Sequence, residues 1–316
     1  MTHYRLPAEW EPQSAVLLTW PHADTDWQWI LADAQRVYLD IAFHSARFSR
    51  VLIAAPGQLH SSIVTALNAR GVPLGQVRLC AASSNDTWAR DHGPITVATA
   101  DGLRLLDFIF NGWGGKFESA LDNQLSASLA AEGAFNAPLQ PVAMVLEGGA
   151  IESDGQGTLL TTESCLLNSN RNPELSRADI EQKLMALLGV SKINWLKHGY
   201  LEGDDTDSHI DTLARLCPLR RIAYIKCDDP ADPHFAELAA MEQELEELTD
   251  AAGEPYELIA LPWPAAKFSA EGERLPATYA NFLILNGAVL VPTYRDAKDA
   301  DALAQVQLAF PGFEVI

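Results

Sequence analysis

Short apolar runs alternate with longer segments in which apolar residues recur at helical spacing. Residues 15–20 and 51–55 are apolar runs of strand length, and a Pro-Gly pair ends the second. Residues 27–48 and 59–69 carry apolar side chains every three or four positions, which predicts a helix for each. The chain therefore begins strand–helix–strand–helix, which is typical of an α/β fold.

Turn sequences further along the chain predict β-hairpins. Asp101-Gly102 and Asn286-Gly287 each separate two strand-like runs, and a third hairpin is expected around the loop 154–157. Asp-Gly and Asn-Gly favour type I′ turns, which need positive φ at both central residues. Because hairpins are antiparallel, they argue against a doubly wound parallel sheet.

Three more helices are expected in the second half. Ser176 is a typical N-cap for the first, whose apolar face includes Ile180 and Leu184. The other two span residues 235–251 and 296–310.

No low-complexity linker divides the chain, and units of paired strands plus a helix recur without visible sequence repetition. We therefore expect one catalytic α/β domain, residues 1–316, built from degenerate repeats.

The charge balance narrows the choice of partner. Acidic residues number 42 against 22 basic ones, so the net charge is −20. Nucleic acid is an improbable ligand because a phosphate backbone demands a basic surface. A small cationic substrate fits better, although an acidic surface also serves solubility.

The N-terminus has no basic region followed by an apolar run, and no apolar stretch reaches the roughly 20 residues that span a bilayer. Four cysteines, at positions 80, 165, 217 and 227, lack metal-ligand spacing. They predict reduced core thiols, and hence a cytoplasmic protein with no membrane partner.

The segment 203–211 is the densest in chemistry. It places His209 among four carboxylates, those of Asp204, Asp205, Asp207 and Asp211. If this backbone is a strand, His209 and Asp211 face the same side. Crowded carboxylates repel each other, so a balancing cation is expected, either a metal or an organic cation.

Two further segments carry candidate site residues. In residues 85–94, Trp88, Arg90 and Asp91 suggest a cation clamp, although a salt-bridged loop explains them equally well. Glu147 follows an apolar run and precedes two glycines, a pattern that marks close backbone approach, often to a ligand.

A glycine-rich loop, residues 111–116, contains Trp113. It lacks Walker or dinucleotide spacing, so a phosphate cradle is improbable. Trp113 either covers a site or packs in the loop.

Five motifs in this order resemble one family. Residues 86–94, 146–149, 168–173, 204–211 and 279–283 are similar to agmatine deiminases and bacterial-type peptidylarginine deiminases, which are guanidine-modifying enzymes. The resemblance covers essentially the whole chain. It implies a five-fold pseudosymmetric α/β propeller of repeated strand-hairpin-plus-helix units around a central site.

The resemblance also implies residue roles. Asp91 and Asp211 match the two carboxylates that grip the guanidinium, a planar cation suited to bidentate contacts. Glu147 matches a supporting acid. His209 matches the general acid/base that protonates the leaving ammonia and then activates water.

Trp88 matches an aromatic wall beside the substrate, and Asn281 matches a polar position near the site. Trp113 is added as a substrate-binding candidate from its loop. The implied reaction uses no metal and no cofactor.

The family's nucleophile is a cysteine in a glycine-rich loop beyond a final strand, and it forms a covalent amidino intermediate. No residue up to Ile316 matches it. The expectation is that the chain as given lacks its C-terminal strand and nucleophile loop, binds agmatine and releases no ammonia.

The main hypothesis is a cytoplasmic agmatine deiminase that makes N-carbamoylputrescine on a route to putrescine. Deimination of peptidyl or free arginine, and amidino transfer, are alternatives. From other classes come a non-catalytic polyamine- or guanidine-binding protein and a metal-dependent hydrolase. Ligands for that metal would be Asp204, Asp205, Asp207, His209 and Asp211. A homo-oligomer is left open.

Overall fold

The computed structural model describes residues 4–316. In this part of the chain the strands form five three-stranded sheets and one two-stranded hairpin. Each three-stranded sheet includes at least one helix between two of its strands along the chain. This confirms the α/β class and the expected repetition of strand-plus-helix units.

The first repeat is all-parallel. Its elements are β1 Ala15–Thr19, α1 Leu31–Ser45, β2 Arg50–Ala55, α2 His60–Arg70 and β3 Val77–Ala81. The strand order is β1-β2-β3, and both pairings are parallel. The predicted strands and helices of this region are therefore confirmed, with α1 shorter than expected because a 3-10 turn occupies Asp26–Ile30.

The second repeat contains the first candidate site segments. Its elements are α3 Ala89–His92, β4 Ile95–Thr99, β5 Gly102–Ile109, α4 Gly112–Gly115, α5 Leu125–Ala131 and β6 Leu139–Val145. The strand order is β4-β5-β6. The two short turns α3 and α4 carry the candidate residues Asp91 and Trp113.

The remaining three repeats each consist of an antiparallel hairpin and a third strand that pairs in parallel. The third repeat comprises β7 Ile151–Ser153, β8 Thr158–Thr162, α6 Glu163–Leu166, α7 Arg177–Leu188 and β9 Lys192–Leu196. The fourth comprises β10 Ala214–Cys217, β11 Arg221–Ile225, α8 Phe235–Glu247 and β12 Glu257–Leu261. The hairpin β13 Lys267–Phe268 with β14 Arg274–Leu275 precedes the fifth, which comprises β15 Leu283–Leu285, β16 Ala288–Leu290, α9 Asp299–Ala309 and β17 Glu314–Val315.

The described chain divides into two compact units. Unit A comprises Glu11–Val97 and Asp101–Gly148, and unit B comprises the described residues before Glu11, Ala98–Ala100 and Gly149–Ile316. A buried apolar cluster in unit A joins β2, β3 and α5, and includes Cys80. A larger one in unit B includes Cys217 and Cys227. These three thiols are core residues, as expected.

The capping residue and the turn sequences noted above can be compared with the structure. Ser176 caps α7 as predicted: its side chain accepts a hydrogen bond from the Asp179 N–H, and the Asp179 carboxylate accepts one from the Ser176 N–H. The type I′ expectation is wrong for both hairpin turns. Gly102 and Gly287 have positive φ, but neither Asp101 nor Asn286 does.

None of the helices in residues 4–316 is both long and apolar enough to span a bilayer.

Candidate active site

In unit A, Asp91 is held in a loop that we call the Asp91 loop, residues 85–94. The carboxylate lies on the single helical turn α3 and is only 7% exposed. The indole Nε1 of Trp113 donates a hydrogen bond to Asp91 Oδ2 at 3.0 Å. A hydrogen bond to a buried carboxylate lowers the cost of its burial and fixes its orientation, so Trp113 holds Asp91 in place.

Trp113 reaches Asp91 because its loop adopts an unusual backbone. Asn111 Oδ1 accepts a hydrogen bond from the Gly114 N–H at 2.9 Å, and Trp113 itself has a left-handed φ of 53°. The indole packs edge-to-face against Phe110 and Phe117, with ring centroids 5.0 and 5.5 Å away. Trp113 therefore packs in its loop, which is one of the two options considered, and it also contacts the candidate residue Asp91.

Trp88 forms the exposed side of this aromatic group. Its side chain is 43% exposed, whereas Trp113 is 7% exposed. The Trp88 ring lies 6.3 Å from that of Trp113 and 5.9 Å from that of Trp27. Its Nε1 donates to Asp86 Oδ2 at 2.8 Å. An accessible indole beside a buried carboxylate suits a cation with an apolar tail.

Two further buried carboxyl groups belong to this region: Asp122, which binds the Asp91 loop, and Asp86, which lies within it. Asp122 accepts hydrogen bonds from the backbone N–H groups of Asn85 and Asp86. Burial raises the pKa of Asp86 to about 6, partly opposed by the Trp88 hydrogen bond. Burial likewise raises the pKa of Asp122 to about 6.

Glu147 is fully buried directly after β6. The following residue, Gly148, is required by a close contact: a Cβ there would lie 2.1 Å from the carbonyl oxygen of Arg90. The close backbone approach inferred from the glycines is therefore confirmed, and its partner is the Asp91 loop itself. Because Gly148 follows Glu147 and Arg90 precedes Asp91, this contact fixes the backbones of the two acidic residues relative to each other.

In unit B, His209 and Asp211 lie in a loop that we call the His209 loop, residues 203–212. The strand considered for this segment is wrong: the chain forms turns and then a 3-10 turn at Ile210–Thr212. The two side chains are nevertheless both buried, at 2% and 4% exposure. A tight turn buries both His209 and Asp211. The alternation of side chains along a strand does not explain their burial.

The other aspartates of the His209 loop have structural contacts. Asp204 accepts hydrogen bonds from the Thr206 N–H and hydroxyl and from the Ser208 N–H. Asp207 accepts one from the Arg171 guanidinium at 2.7 Å. The guanidinium of Arg171 therefore supplies part of the positive charge that was expected to balance these carboxylates.

Cys165 is the cysteine that comes near a candidate catalytic group. It is fully buried, and its Sγ lies within 4.8 Å of a ring nitrogen of His209. Thiolate sulfur and imidazole nitrogen are both zinc ligands in proteins, so these two side chains could supply two ligands to a metal ion. Cys217 is a poor nucleophile, since burial raises its pKa to about 12.

Asn281 is exposed, and a buried arginine fixes the backbone on both sides of it. Arg215 donates to the carbonyl oxygens of Ala280 and Phe282, at 3.1 and 2.7 Å. It also pairs with Glu152 at 2.7 Å. The segment connects to the His209 loop, because the Thr278 hydroxyl donates to the Thr212 carbonyl at 2.9 Å.

The structure thus groups the predicted residues within each unit. Unit A brings Asp91, Trp88 and Trp113 together, and unit B carries His209 and Asp211 in one turn. Sequence reasoning missed the supporting arginines, Arg171 and Arg215. The available signal for Arg215 was a charged residue inside an apolar strand. For Arg171 it was the motif 168–173, which was named without a role for this arginine.

Comparisons with known proteins agree with the motifs. The profile of the Porphyromonas-type peptidyl-arginine deiminase family matches residues 5–316. An agmatine deiminase from Pseudomonas aeruginosa is 36% identical, over 99% of this chain and 89% of that protein. A substrate-bound agmatine deiminase variant from C. jejuni is 37% identical with a TM-score of 0.91, covering 100% of this chain and 90% of that one. An agmatine deiminase from Enterococcus faecalis is 31% identical with a TM-score of 0.87, covering 99% and 90%.

Proposed function

Because this chain belongs to the Porphyromonas-type peptidyl-arginine deiminase family, we propose that it is an agmatine deiminase. The enzyme hydrolyses a C–N bond of a linear amidine: agmatine and water give N-carbamoylputrescine and ammonia. The three named relatives support agmatine as the substrate, since each of them is an agmatine deiminase.

The observation that carries the proposal is the burial of four ionisable residues at positions that match the family motifs. Asp91, Glu147, His209 and Asp211 are all less than a tenth exposed. A buried carboxylate is costly unless it is hydrogen-bonded or paired with a cation. A guanidinium suits a pair of carboxylates better than an ammonium does, because its N–H groups form a planar fork that matches carboxylate oxygens.

In the proposed reaction, Asp91 and Asp211 bind the guanidinium and Trp88 packs beside the alkyl chain. Attack of a cysteine thiolate on the guanidinium carbon forms a C–S bond and a tetrahedral intermediate. The C–N bond breaks as His209 gives a proton to the leaving ammonia, and water activated by His209 then breaks the C–S bond. Glu147 supports His209, and no metal or cofactor takes part.

We also propose a cytoplasmic location. The four cysteines are buried thiols, which suits a reducing compartment. The net charge of −20 favours a cationic metabolite over nucleic acid as the ligand.

The test is to assay the purified protein for ammonia and ureido product from agmatine, free arginine and an N-acylated arginine amide. Agmatine should give the highest kcat/KM. His209→Gln should lower kcat by about 10²- to 10⁴-fold, the usual worth of a general acid/base. His198→Gln is the matched control, since that imidazole is exposed and pairs with Glu237. A preference for either arginine substrate would refute agmatine as the substrate, and an unchanged His209→Gln enzyme would refute the role of His209.

A further inference from the structure

The backbone that leads into His209 is held in an uncommon conformation. Asp207 and Ser208 have φ values of 65° and 66°, in the left-handed region that residues with a Cβ seldom adopt. Two such residues in succession do not persist unless their surroundings fix them. They immediately precede His209, so whatever fixes them also sets the position of the imidazole.

Arg171 contacts this backbone with a fully buried guanidinium. One terminal nitrogen donates to Asp207 Oδ2 at 2.7 Å and to Asn170 Oδ1 at 2.9 Å. The other donates to the carbonyl oxygen of Thr206 at 2.8 Å. The guanidinium therefore binds a side chain and a main-chain group of consecutive residues at once.

The same turn is also fixed by hydrogen bonds that do not involve Arg171. The His209 N–H donates to Thr206 Oγ1 at 3.0 Å, and the Ser208 N–H donates to Asp204 Oδ2 at 2.7 Å. The Thr162 hydroxyl donates to the Ser208 carbonyl at 2.7 Å. Because Thr206 bonds to both Arg171 and the His209 backbone, a shift of Arg171 would pass directly to His209.

We propose that Arg171 is a positioning residue for the acid/base His209, acting through Thr206 and Asp207. The inference rests on the proposed deiminase function for its kinetic consequence. Lysine cannot replace Arg171, since an ammonium is a point donor and lacks the planar fork that spans both acceptors. Arg171 also supplies positive charge inside a strongly acidic loop, which limits repulsion among its carboxylates.

The kinetic test compares Arg171→Lys and Arg171→Met with Arg177→Met. Arg177 is the matched control: it lies in the same repeat and pairs with Glu163 and Glu181, away from the His209 loop. Both Arg171 variants should lower kcat for agmatine by about 10- to 100-fold, the effect of misplacing a catalytic group by about 1 Å. KM should change by less than about 3-fold, because the Thr278–Thr212 hydrogen bond anchors the turn that carries Asp211 separately.

An activity-independent measurement separates this inference from the proposed function. Backbone amide exchange across residues 204–211 should be at least about 10-fold faster in Arg171→Met than in wild type, and unchanged in Arg177→Met. If wild type does not deiminate agmatine, the exchange result still decides the role of Arg171. Unchanged exchange in a folded Arg171 variant overturns the inference, as does a loss that appears only in KM. If Arg171→Met does not fold, Asp207→Asn removes the same ion pair with a smaller change, and the same outcomes apply to it.

Discussion

The Asp91 loop and the His209 loop both bury ionisable groups, but they fix them by different interactions. The Asp91 loop relies on indole N–H donors and packed aromatic rings, chiefly Trp113 and Trp88. The His209 loop relies on the charged pair of Arg171 and Asp207 and on a left-handed backbone. One loop is therefore stabilised mainly by neutral donors, and the other by a permanent cation.

The difference matters for how each group responds to its environment. A neutral N–H donor offsets only part of the cost of burying a charged carboxylate. Burial therefore still raises the pKa of Asp86 and of Asp122. A buried guanidinium stays protonated at any ordinary pH and keeps Asp207 paired. We infer that pH changes in the mildly acidic range act first on the Asp91 loop.

The largest effect that would sharpen this comparison is expected from Trp113→Phe. The substitution keeps an aromatic ring in the loop but removes the N–H donor to Asp91. A hydrogen bond to a charged group contributes about 1.5–3 kcal/mol, so kcat/KM for agmatine should fall by about 10- to 100-fold. Steady-state kinetics at fixed pH measures the change.

Trp195→Phe is the control for that experiment. Its indole also donates to a carboxylate, Glu181 at 2.9 Å, but outside the candidate site. If both variants lose activity equally, the loss reflects general destabilisation. If Trp113→Phe keeps full activity, the indole is not needed to hold Asp91.

The sequence predicted those parts of the molecule that depend on residues close together along the chain. The hairpins, the Ser176 cap and the helices are encoded by neighbouring residues, and the structure contains them. Candidate residues could be named because they cluster in short motifs. The contacts that support them could not be predicted, because Trp113 is 22 positions from Asp91 and Arg171 is 36 from Asp207. The strand considered for residues 203–211 failed because Asp204 accepts hydrogen bonds from nearby N–H groups, which stabilises turns over ladders.

A second effect concerns stability against pH and is expected from Asp86→Asn. Since the folded pKa of about 6 lies above the ordinary value of 3.8, this group contributes stability that is full below about pH 3.8. The contribution is lost as pH rises through about 6. The variant lacks this loss, so it should gain on wild type by up to about 3 kcal/mol between pH 4 and pH 7.

Urea unfolding at several pH values gives the free energy of unfolding of both proteins. Asp33→Asn, at an exposed carboxylate paired with Arg36, should track wild type across the range. A constant difference between Asp86→Asn and wild type would show that Asp86 does not titrate in this window. The contrast between the two loops would then lose its electrostatic basis.

The smallest effect tests whether the aromatic support extends outward to Trp27. Its Nε1 donates to Thr87 Oγ1 at 2.9 Å, and its ring lies 5.9 Å from that of Trp88. An aromatic contact of this kind contributes about 0.5–1.5 kcal/mol, so Trp27→Leu should raise KM for agmatine by about 2- to 10-fold with little change in kcat. Trp29 lies in the same 3-10 turn and is 71% exposed, so Trp29→Leu is a control that should leave KM unchanged. Equal KM values in the two variants would show that the aromatic support does not extend beyond Trp88 to Trp27. A fall in kcat alone would mean that the indoles orient Asp91 and do not bind the substrate.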